Sequence, residues 1–478
     1  MILRPTLTLF FLAALSGCTV GPAYKGPPSA SASDPLPTRF AGADPGTPTA
    51  PASADWWRAF NDPTLDELEK RALNGSPNIA IAEARLRGAR ATLRLERANG
   101  LPRASAQLST IQAHLPGVNI NQSAGAGAGG DDDFDFYNAG FDASWEIDLF
   151  GGQRRKLEAA RASLAAVGAD AADARLSLTA EVAMAYAELR DRQQRIALAR
   201  ADSASRHRAL ALVEQRQERG ATSPLDVERM RAMVETADAD LAPLLAEAEA
   251  RKTILAVLTG ALPGALDALL DPTASVPLPP AAVDVSDPAA LLQRRPDIRA
   301  AERRLAAETA RIGVARSARF PKVRLLGIIG LGGSDPSDIG DFDKVAAIAA
   351  PTLQWDLLDF GRGAARVRQA EAKRDEAEAM YRRTVLTALG DAQNALTRFG
   401  QRRTALASLA RASTAADRAL AMTRQRFGAG TATLIDVAEA ERQQIAAEAR
   451  LVSARAMLAM DFIALQKALG LGLPSGSS

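Results

Sequence analysis

A tandem duplication constrains the fold of this chain more than any other feature of its sequence. The segment "SPNIAIAEARL" aligns with "RPDIRAAERRL", and Pro102 then aligns with Pro321 at an offset of 219 residues. Further along, "WEIDLFGG" aligns with "WDLLDFGR", so that Trp145 matches Trp355 at an offset of 210 residues. Because each offset holds through several residues in a row, the pattern indicates two copies of one unit, with a loop lengthened in one of them.

Each repeat contains two short segments that are typical of strands, at about 102–112 and 137–149 in the first repeat and at about 321–331 and 344–359 in the second. From Tyr137 onward, apolar or small residues alternate with polar ones, which predicts a strand with one apolar face. Four strands can cross a bilayer but cannot close a barrel, and an open sheet edge in lipid leaves backbone groups unpaired. Other copies of the chain must therefore supply the missing strands, and three or four copies both meet this requirement.

Helices account for most of each repeat. Long helices are predicted over 151–219 and 361–427, and return helices over 225–260 and 435–470. Apolar residues recur every seven positions along the first long helix, as in coiled coils. At 1.5 Å per residue, each long helix extends over roughly 100 Å. An earlier helix of roughly 25 to 30 residues ends before the aligned proline of each repeat, because proline disfavours the helical conformation of the residue before it.

The turns between the long and return helices read "RGATSPLDV" and "FGAGTATLIDV". Glycine ends a helix well because it adopts the left-handed conformation at no steric cost, and this predicts a C-terminal role for Gly220 and for Gly428 or Gly430. The return helices are predicted to begin with an N-cap and a capping-box acid three residues later. The cap residues are Ser223, Pro224 and Asp226 in the first repeat and Thr433 and Asp436 in the second.

The N-terminal segment has the layout of a secretory signal peptide over residues 1–17, with one basic residue and then an apolar core. Cys18, the only cysteine, lies in "LSGC", which resembles the bacterial lipobox. We therefore expect an N-terminal acyl chain and a diacylglycerol on Cys18, and no other cofactor. By the same resemblance, Thr19 directs sorting to the outer membrane. Residues 18–55 are rich in Pro, Ala and Ser and predict an extended tether.

The other boundaries follow from the duplication. The first repeat covers 56–262, a linker covers 263–286, the second repeat covers 287–470 and a tail covers 471–478.

The composition and motifs exclude several classes of protein. With 58 basic and 56 acidic residues, the net charge of +2 gives no electrostatic basis for binding nucleic acid. The two histidines, His114 and His207, have no partners at metal-ligand spacing, so no dedicated metal site is expected. The Gly-rich run "SAGAGAGG" lacks the Gly-Lys-Ser/Thr of a phosphate loop, and no nucleophile elbow is present. The sequence does not predict an enzyme.

The chain resembles the outer-membrane efflux protein family, in its TolC-like branch of NodT or OprM type. The resemblance rests on "CTVGPAYKGP", "WWRAFNDPTLDELEKRAL" and "RRPDIRAAERRLAAETARIGVARSARFPKV", together with the two helical turns, and it covers nearly the whole mature chain. It implies a homotrimer with a 12-stranded outer-membrane β-barrel, four strands from each chain, continuous with a long periplasmic α-helical barrel. It also implies a periplasmic adaptor and an inner-membrane pump, commonly of the resistance-nodulation-division type, as partners.

The resemblance also assigns site residues. The turn residues Gly220, Ser223, Pro224, Asp226, Gly428, Gly430 and Thr433 correspond to the adaptor-facing tips. Asp436 and Glu439 match acidic positions that ring the periplasmic entrance in TolC-like proteins and bind cations. Asp436 has an alternative role as a helix cap. Phe427 and Ala432 stand where family members use Tyr and Arg to hold the entrance shut.

The resulting hypothesis is a passive exit duct for drugs or other small molecules, lipid-anchored and spanning the outer membrane, with a long periplasmic extension. The alternative is a periplasmic coiled-coil tether or adaptor lipoprotein that forms no pore. The alternating strand segments favour the duct. A surface hydrolase is disfavoured because the sequence lacks a nucleophile constellation.

Overall fold

A computed structural model describes residues 19–29, 39–40, 55–114, 133–280 and 288–471. The α-helices are α1 (Pro63–Gly75), α2 (Pro77–Ala98), α3 (Gly152–Glu218), α4 (Pro224–Thr259), α5 (Asp267–Leu270), α6 (Pro288–Arg294), α7 (Pro296–Ser317), α8 (Arg362–Gly428) and α9 (Leu434–Ala468). The strands are β1 (Arg103–His114), β2 (Asp133–Ile147), β3 (Lys322–Gly333) and β4 (Val345–Gln354). The chain divides into two compact units, each built from three segments.

The first unit comprises Met1–Pro28, Arg87–Ala166 and Glu302–Met380. It contains one antiparallel sheet in the order β1-β2-β3-β4. At the ends of the strands Phe150 stacks on Phe320, with ring centroids 4.6 Å apart and an interplanar angle of 18°. Two tryptophans fasten strand ends to preceding turns, because Trp145 Nε1 donates to the Gly100 carbonyl and Trp355 Nε1 to the Arg319 carbonyl, each at 3.1 Å. The two halves of the sheet therefore share the same local anchoring.

The second unit comprises Ser29–Leu86, Val167–Ala301 and Tyr381–Ser478. Its core contains an aromatic group in which Phe60 meets Phe462 edge to face, with centroids 5.3 Å apart. The side chain of Asp62 caps α1 by accepting from the backbone N–H groups of Thr64 and Leu65, and its other oxygen accepts from the Tyr186 hydroxyl at 2.7 Å. Asp62 thus links the start of α1 to the long helix α3 by hydrogen bonds.

The described part of the predicted linker, residues 263–280, packs against α3. Arg190, with 1% of its surface exposed, donates from Nη1 to the carbonyls of Leu270 and Pro272. Leu266 and Val276 are buried. Burial of the apolar residues around α5 stabilises this packing.

Several predicted elements differ from the structure in their bounds. The early helices α2 and α7 have 22 residues each, shorter than predicted, because Pro77 and Pro296 each begin a new helix. Strand β2 begins at Asp133, four residues before the predicted start, because its first residues continue the pairing with the end of β1 as far as His114. Strand β4 ends at Gln354 rather than near 359, because Asp359 accepts from the backbone N–H groups of Gly361 and Gly363 and forms the turn before α8.

The long helices α3 and α8 have 67 residues each. They and the return helices α4 and α9 begin and end within two residues of the predicted positions. Among the described residues, no helix is long and apolar enough to span a membrane.

Candidate functional site

The sheet of the first unit has two chemically different faces. Directly opposed residues of an antiparallel sheet share a face, and successive residues alternate between faces. The register places Ala106, Phe141, Ile329 and Ala347 in one row across all four strands. The face that contains this row also carries Leu108, Trp145, Ile147, Val323, Leu325, Leu331, Val345 and Leu353.

The opposite face is mainly polar. Its ion pair joins Arg324 to Glu146, which lie in register at 3.6 Å. Five apolar residues interrupt it: Ile111, Phe136, Leu326, Ile328 and Ile348. Its polar residues are Ser105, Gln107, Ser109, Asn138, Asp142, Ser144, Thr352 and Gln354. The predicted alternation of the segment from Tyr137 is thus confirmed for β2, and the other strands follow it with the exceptions just named.

The apolar face is exposed. Leu108 is 76% and Phe141 62% exposed, although each lies in the middle of its strand. An apolar band of this kind on one side of a sheet, with polar groups on the other, suits contact with lipid on the first side and water on the second.

The outer strands β1 and β4 each have one hydrogen-bonded neighbour within the described part of the chain. Each therefore presents one edge of backbone N–H and C=O groups to a further strand.

The two helical turns have matching caps. Ser223 and Thr433 are the N-caps of α4 and α9, and each forms a capping box with the Asp three residues later. Gly220 and Gly430 have φ of +69° and +73°, while Gly428 is the last residue of α8. The predicted caps are confirmed, and of the two candidate glycines in the second turn Gly430 takes the left-handed conformation.

The acids of the second turn have partners within the chain. Asp436 Oδ2 accepts from the Thr433 backbone N–H at 2.7 Å and from its hydroxyl at 2.8 Å, and these bonds lower the pKa of Asp436. Glu439 accepts from the Arg442 guanidinium at 2.5 and 2.8 Å and from Gln443 Nε2 at 3.0 Å. These contacts lower the pKa of Glu439 to about 2, and the hydrogen bond with Arg442 has the largest effect.

The first turn differs in charge at the equivalent position. Arg229 stands where the second repeat has Glu439, and its Nη1 lies 3.7 Å from Asp226 Oδ1. Asp226, the cap acid of the first turn, is therefore followed three residues later by a cation. Asp436, the cap acid of the second turn, is followed at that position by another acid.

A small apolar cluster lies behind the turns. Val213 of α3, Val227 and Met230 of α4 and Ala438 of α9 are buried together. Nearby, the Arg216 guanidinium lies 5.8 Å from the centroid of the Phe427 ring. The two helical hairpins therefore pack on each other close to their tips, where the Phe427 ring lies near the Arg216 guanidinium.

The segment after the predicted lipidation site is hydrogen-bonded to other parts of the first unit. Val20 N–H donates to the Phe150 carbonyl at 3.2 Å, and Arg155 donates to the carbonyls of Val20 and Gly21 at 3.3 and 3.1 Å. Residues 19–29 of the predicted tether are therefore bonded to the body of the first unit, and most of residues 30–54 lies outside the described residues. Gly21 has φ of +102°, and a Cβ on it would lie 2.5 Å from the Cα of Gly313, so only glycine fits this crossing.

A second contact holds the same segment. The Tyr24 hydroxyl donates to Glu302 Oε1 at 2.6 Å, and the Arg303 guanidinium lies 5.7 Å from the centroid of the Tyr24 ring. Thr19 is exposed, and Cys18 lies outside the described residues. Arg155 also donates to Glu158 Oε2 at 2.8 Å within α3. Sequence reasoning missed Arg155 as a clamp because its partners in the N-terminal segment are backbone carbonyls, which leave no pattern in the sequence.

The two histidines lie in different elements of the chain. His207 Nε2 lies 3.0 Å from Asp238 Oδ2 at an exposed position of α3. His114 is the last residue of β1. Searched over the described ranges, the chain contains no group of three or more potential metal ligands.

Comparison with known proteins agrees with this geometry. The family model described as "Outer membrane efflux protein" matches residues 68–261 and 288–471, once in each repeat. Nodulation protein T of Rhizobium leguminosarum bv. trifolii is 29% identical over 466 residues, which cover 97% of each chain. The pyoverdine export outer membrane protein OpmQ of Pseudomonas aeruginosa is 32% identical over 423 residues, 88% of each chain.

The solved structures include the outer-membrane channel OprN, which matches with a TM-score of 0.86 and 35% identity over 95% of this chain and 99% of that one. Fold and sheet chemistry together define a TolC-like outer-membrane channel. The chain belongs to the outer membrane efflux protein family.

Proposed function

We propose that three copies of this chain form the exit duct of a tripartite efflux pump. The duct passively conducts drugs or other small molecules across the outer membrane, and it receives them from a periplasmic adaptor and an inner-membrane transporter of the resistance-nodulation-division type. The proposed role is conduction and includes no catalytic step.

The observation that carries the proposal is the four-stranded sheet with one apolar face and two open edges. In lipid, each unpaired backbone group costs several kcal/mol, so the edges must be covered by other strands. Three copies supply twelve strands, which leave an aqueous channel when closed with the polar face inward. The apolar face, with Phe141 and Ile329, then contacts lipid.

The helical hairpins supply the periplasmic part of the proposal. The tips carry Gly220 and Gly430 and are held together by the apolar cluster around Met230. We propose that this end meets the adaptor, as the family resemblance implies for the tip residues. Asp436 and Glu439 are three residues apart on α9, hence on one face, and in a trimer they form a ring of six carboxylates.

A lipid on Cys18 fits the position of the docked N-terminal segment. Val20 bonds to Phe150, three residues after the end of β2, so the described residues that follow the proposed anchor lie beside the strand ends of the sheet. We propose that the acyl chains insert into the same membrane as the apolar face. Thr19, the sorting residue, is next to Gly151, where a Cβ would lie 2.7 Å from Thr19 Cγ2.

Two neighbouring positions in β2 give a matched test of the duct. Phe141 lies on the apolar face and Asp142 on the polar face. Phe141→Lys places a charge against lipid, at a cost of about 2–4 kcal/mol near the membrane centre, and we expect a large loss of inserted channels in planar bilayers. Asp142→Lys should insert normally and shift conductance or ion selectivity.

The alternative, a periplasmic tether, predicts a different result. Purified protein would then produce no conductance steps, and the two lysine variants would behave alike.

A further inference from the structure

A cavity rich in arginine lies at the ends of β3 and β4 in the first unit. Its volume is about 490 Å³, and it is bounded by the end of α7, the turn after β4 and the start of α8. Three arginines line it, Arg319 just after α7 and Arg362 and Arg366 in α8. We refer to this space as the arginine cavity.

In the first repeat, a side chain fills the corresponding groove. Gln153 of α3 reaches the end of α2, where its Nε2 donates to the Glu96 carbonyl at 2.5 Å. Its Cγ would lie 3.3 Å from a Cβ on Gly100. At the offset of 210 residues, Gln153 corresponds to Gly363, which has no side chain to occupy the space. The arginine cavity therefore arises from a difference between the two repeats.

The positive charge of the cavity also distinguishes the repeats. Arg319 and Arg362 correspond to Gly100 and Gly152 of the first repeat. Within the described ranges, the guanidinium groups of these two arginines and of Arg366 form no hydrogen bond and no ion pair. Guanidinium groups that converge without partners suit a ligand with several anionic oxygens, such as a phosphate.

Two carboxylates line the cavity as well, and they differ in their partners. Asp359 accepts from the backbone N–H groups of Gly361 and Gly363 at 2.9 and 2.7 Å, which commits it to the turn before α8. Asp356 is exposed, and its side chain has no hydrogen bond or ion pair among the described residues. Asp356 is therefore available to a cationic group beside the arginines.

The arginine cavity lies where the apolar face of the sheet ends. Trp355 lines it and follows Leu353 of that face by two residues, so it continues the same side of β4. Leu357 and Leu358 also line it and are 72% and 83% exposed. Because aromatic residues at the edge of an apolar band mark the boundary between membrane and water, this position lies level with lipid headgroups in the proposed duct.

We propose that the arginine cavity binds the phosphoethanolamine headgroup of a membrane phospholipid, one lipid to each chain. The phosphate lies among the three guanidinium groups, the ammonium group pairs with Asp356, and the acyl chains pass Leu357 and Leu358 towards the apolar face. The volume of the cavity is in the range of small-ligand sites. This inference rests on the proposed duct, because it requires the apolar face to lie in lipid.

Native mass spectrometry of the full-length protein, purified in detergent and stripped of lipid, tests the site by counting bound lipids and measuring their affinities. The probes are phosphatidylethanolamine and phosphatidylglycerol, since both carry the phosphate and only the first carries an amine. The wild type should bind one phosphatidylethanolamine per chain, more tightly than phosphatidylglycerol. Arg319→Gln and Arg366→Gln should each weaken both lipids by about fivefold to tenfold, as expected for one lost charge contact to a phosphate.

Two further variants separate the amine contact from a general loss of charge. Asp356→Asn should weaken phosphatidylethanolamine alone and so remove the preference for it. Arg368→Gln is the matched control, because Arg368 is an exposed arginine of α8 two residues from Arg366 and does not line the cavity. It should leave both affinities unchanged. Soluble phosphoethanolamine at the concentration of the lipid should not displace the lipid, because it lacks acyl chains.

Several results overturn the inference. Unchanged binding in both cavity arginine variants, or an equal loss in Arg368→Gln, overturns the site. A preference for phosphatidylethanolamine that survives in Asp356→Asn overturns the choice of headgroup. Displacement by soluble phosphoethanolamine overturns the lipid as the source of the phosphate. Each of these leaves the duct intact if the same protein conducts in planar bilayers, whereas a single-chain mass without conductance overturns the proposed duct itself.

Discussion

Asp436 binds Thr433 twice, accepting from its backbone N–H at 2.7 Å and from its hydroxyl at 2.8 Å, and Asp226 binds Ser223 in the first repeat with the same capping geometry. A cap accounts for Asp436 in the single chain. It does not account for Glu439, which bonds to Arg442 and takes no part in the cap.

We predict that changing Asp436→Asn and Glu439→Gln together lowers cation selectivity and weakens block by multivalent cations added from the periplasmic side. The reason is that six carboxylates around a narrow opening focus a negative field. Single-channel recording measures both effects.

The control for this prediction is Thr433→Ala, which removes the cap but keeps both acids and should cost about 1 kcal/mol of stability. Unchanged selectivity and block in the double variant, with only a lower melting temperature, would show that the acids are structural.

A buried carboxyl group in α1 predicts a pH dependence of stability. Glu69 is fully buried, neither carboxyl oxygen has a hydrogen-bond partner, and burial, reinforced by Asp66, raises its pKa well above 4.5. The unfolded chain loses this proton at a lower pH than the folded chain, so stability falls as the pH rises above about 4.5 and continues to fall up to the folded pKa. Glu69→Gln should therefore melt at a higher temperature than the wild type at pH 8, and the difference should shrink towards pH 5.

The neighbouring residue Glu67 provides the control. It is exposed, and its hydrogen bond with Arg71 lowers its pKa, which gives the opposite direction of shift. Glu67→Gln should not gain stability as the pH rises. A difference in melting temperature between Glu69→Gln and the wild type that stays the same from pH 5 to pH 8 would contradict this prediction.

The clamp on the N-terminal segment predicts a local effect of Arg155→Ala. The side chain donates to two backbone carbonyls of that segment and to Glu158 of its own helix. The loss of a charge-assisted hydrogen bond costs about 1.5–3 kcal/mol. Hydrogen exchange of residues 19–25 should rise, with acylation of Cys18 unchanged. Arg154→Ala removes the neighbouring, more exposed arginine, which bonds to Asp148, and should leave that exchange as in the wild type.

Cys18→Ala separates anchoring from assembly. The variant should lose labelling by radioactive fatty acid, because the thiol is the proposed acceptor, and should still trimerise when exported through a different signal peptide. Loss of every oligomer in correctly secreted, unacylated protein would show that the lipid is needed for assembly.

The duplication made most of the architecture predictable. Matching prolines, tryptophans and turn residues placed the four strands, the two long helices and the two return helices. Each of these depends on local periodicity or on a proline or glycine that the sequence displays. The caps at Ser223 and Thr433 were predictable for the same reason.

Contacts between distant segments were not predictable. The bonds of Arg190 to Leu270 and Pro272, and of Arg155 to Val20 and Gly21, use backbone carbonyls as acceptors, and every residue supplies one. The seams of the sheet required the observed register, since sequence offsets alone do not say which strand lies opposite which.

The mass of the conducting species tests the central claim most directly. Protein extracted in mild detergent and shown to conduct in planar bilayers should have a protein mass near three times that of the mature chain, itself slightly below the 50.3 kDa of the full sequence. Three chains provide the twelve strands that close the wall. A single chain that conducts ions would contradict the account.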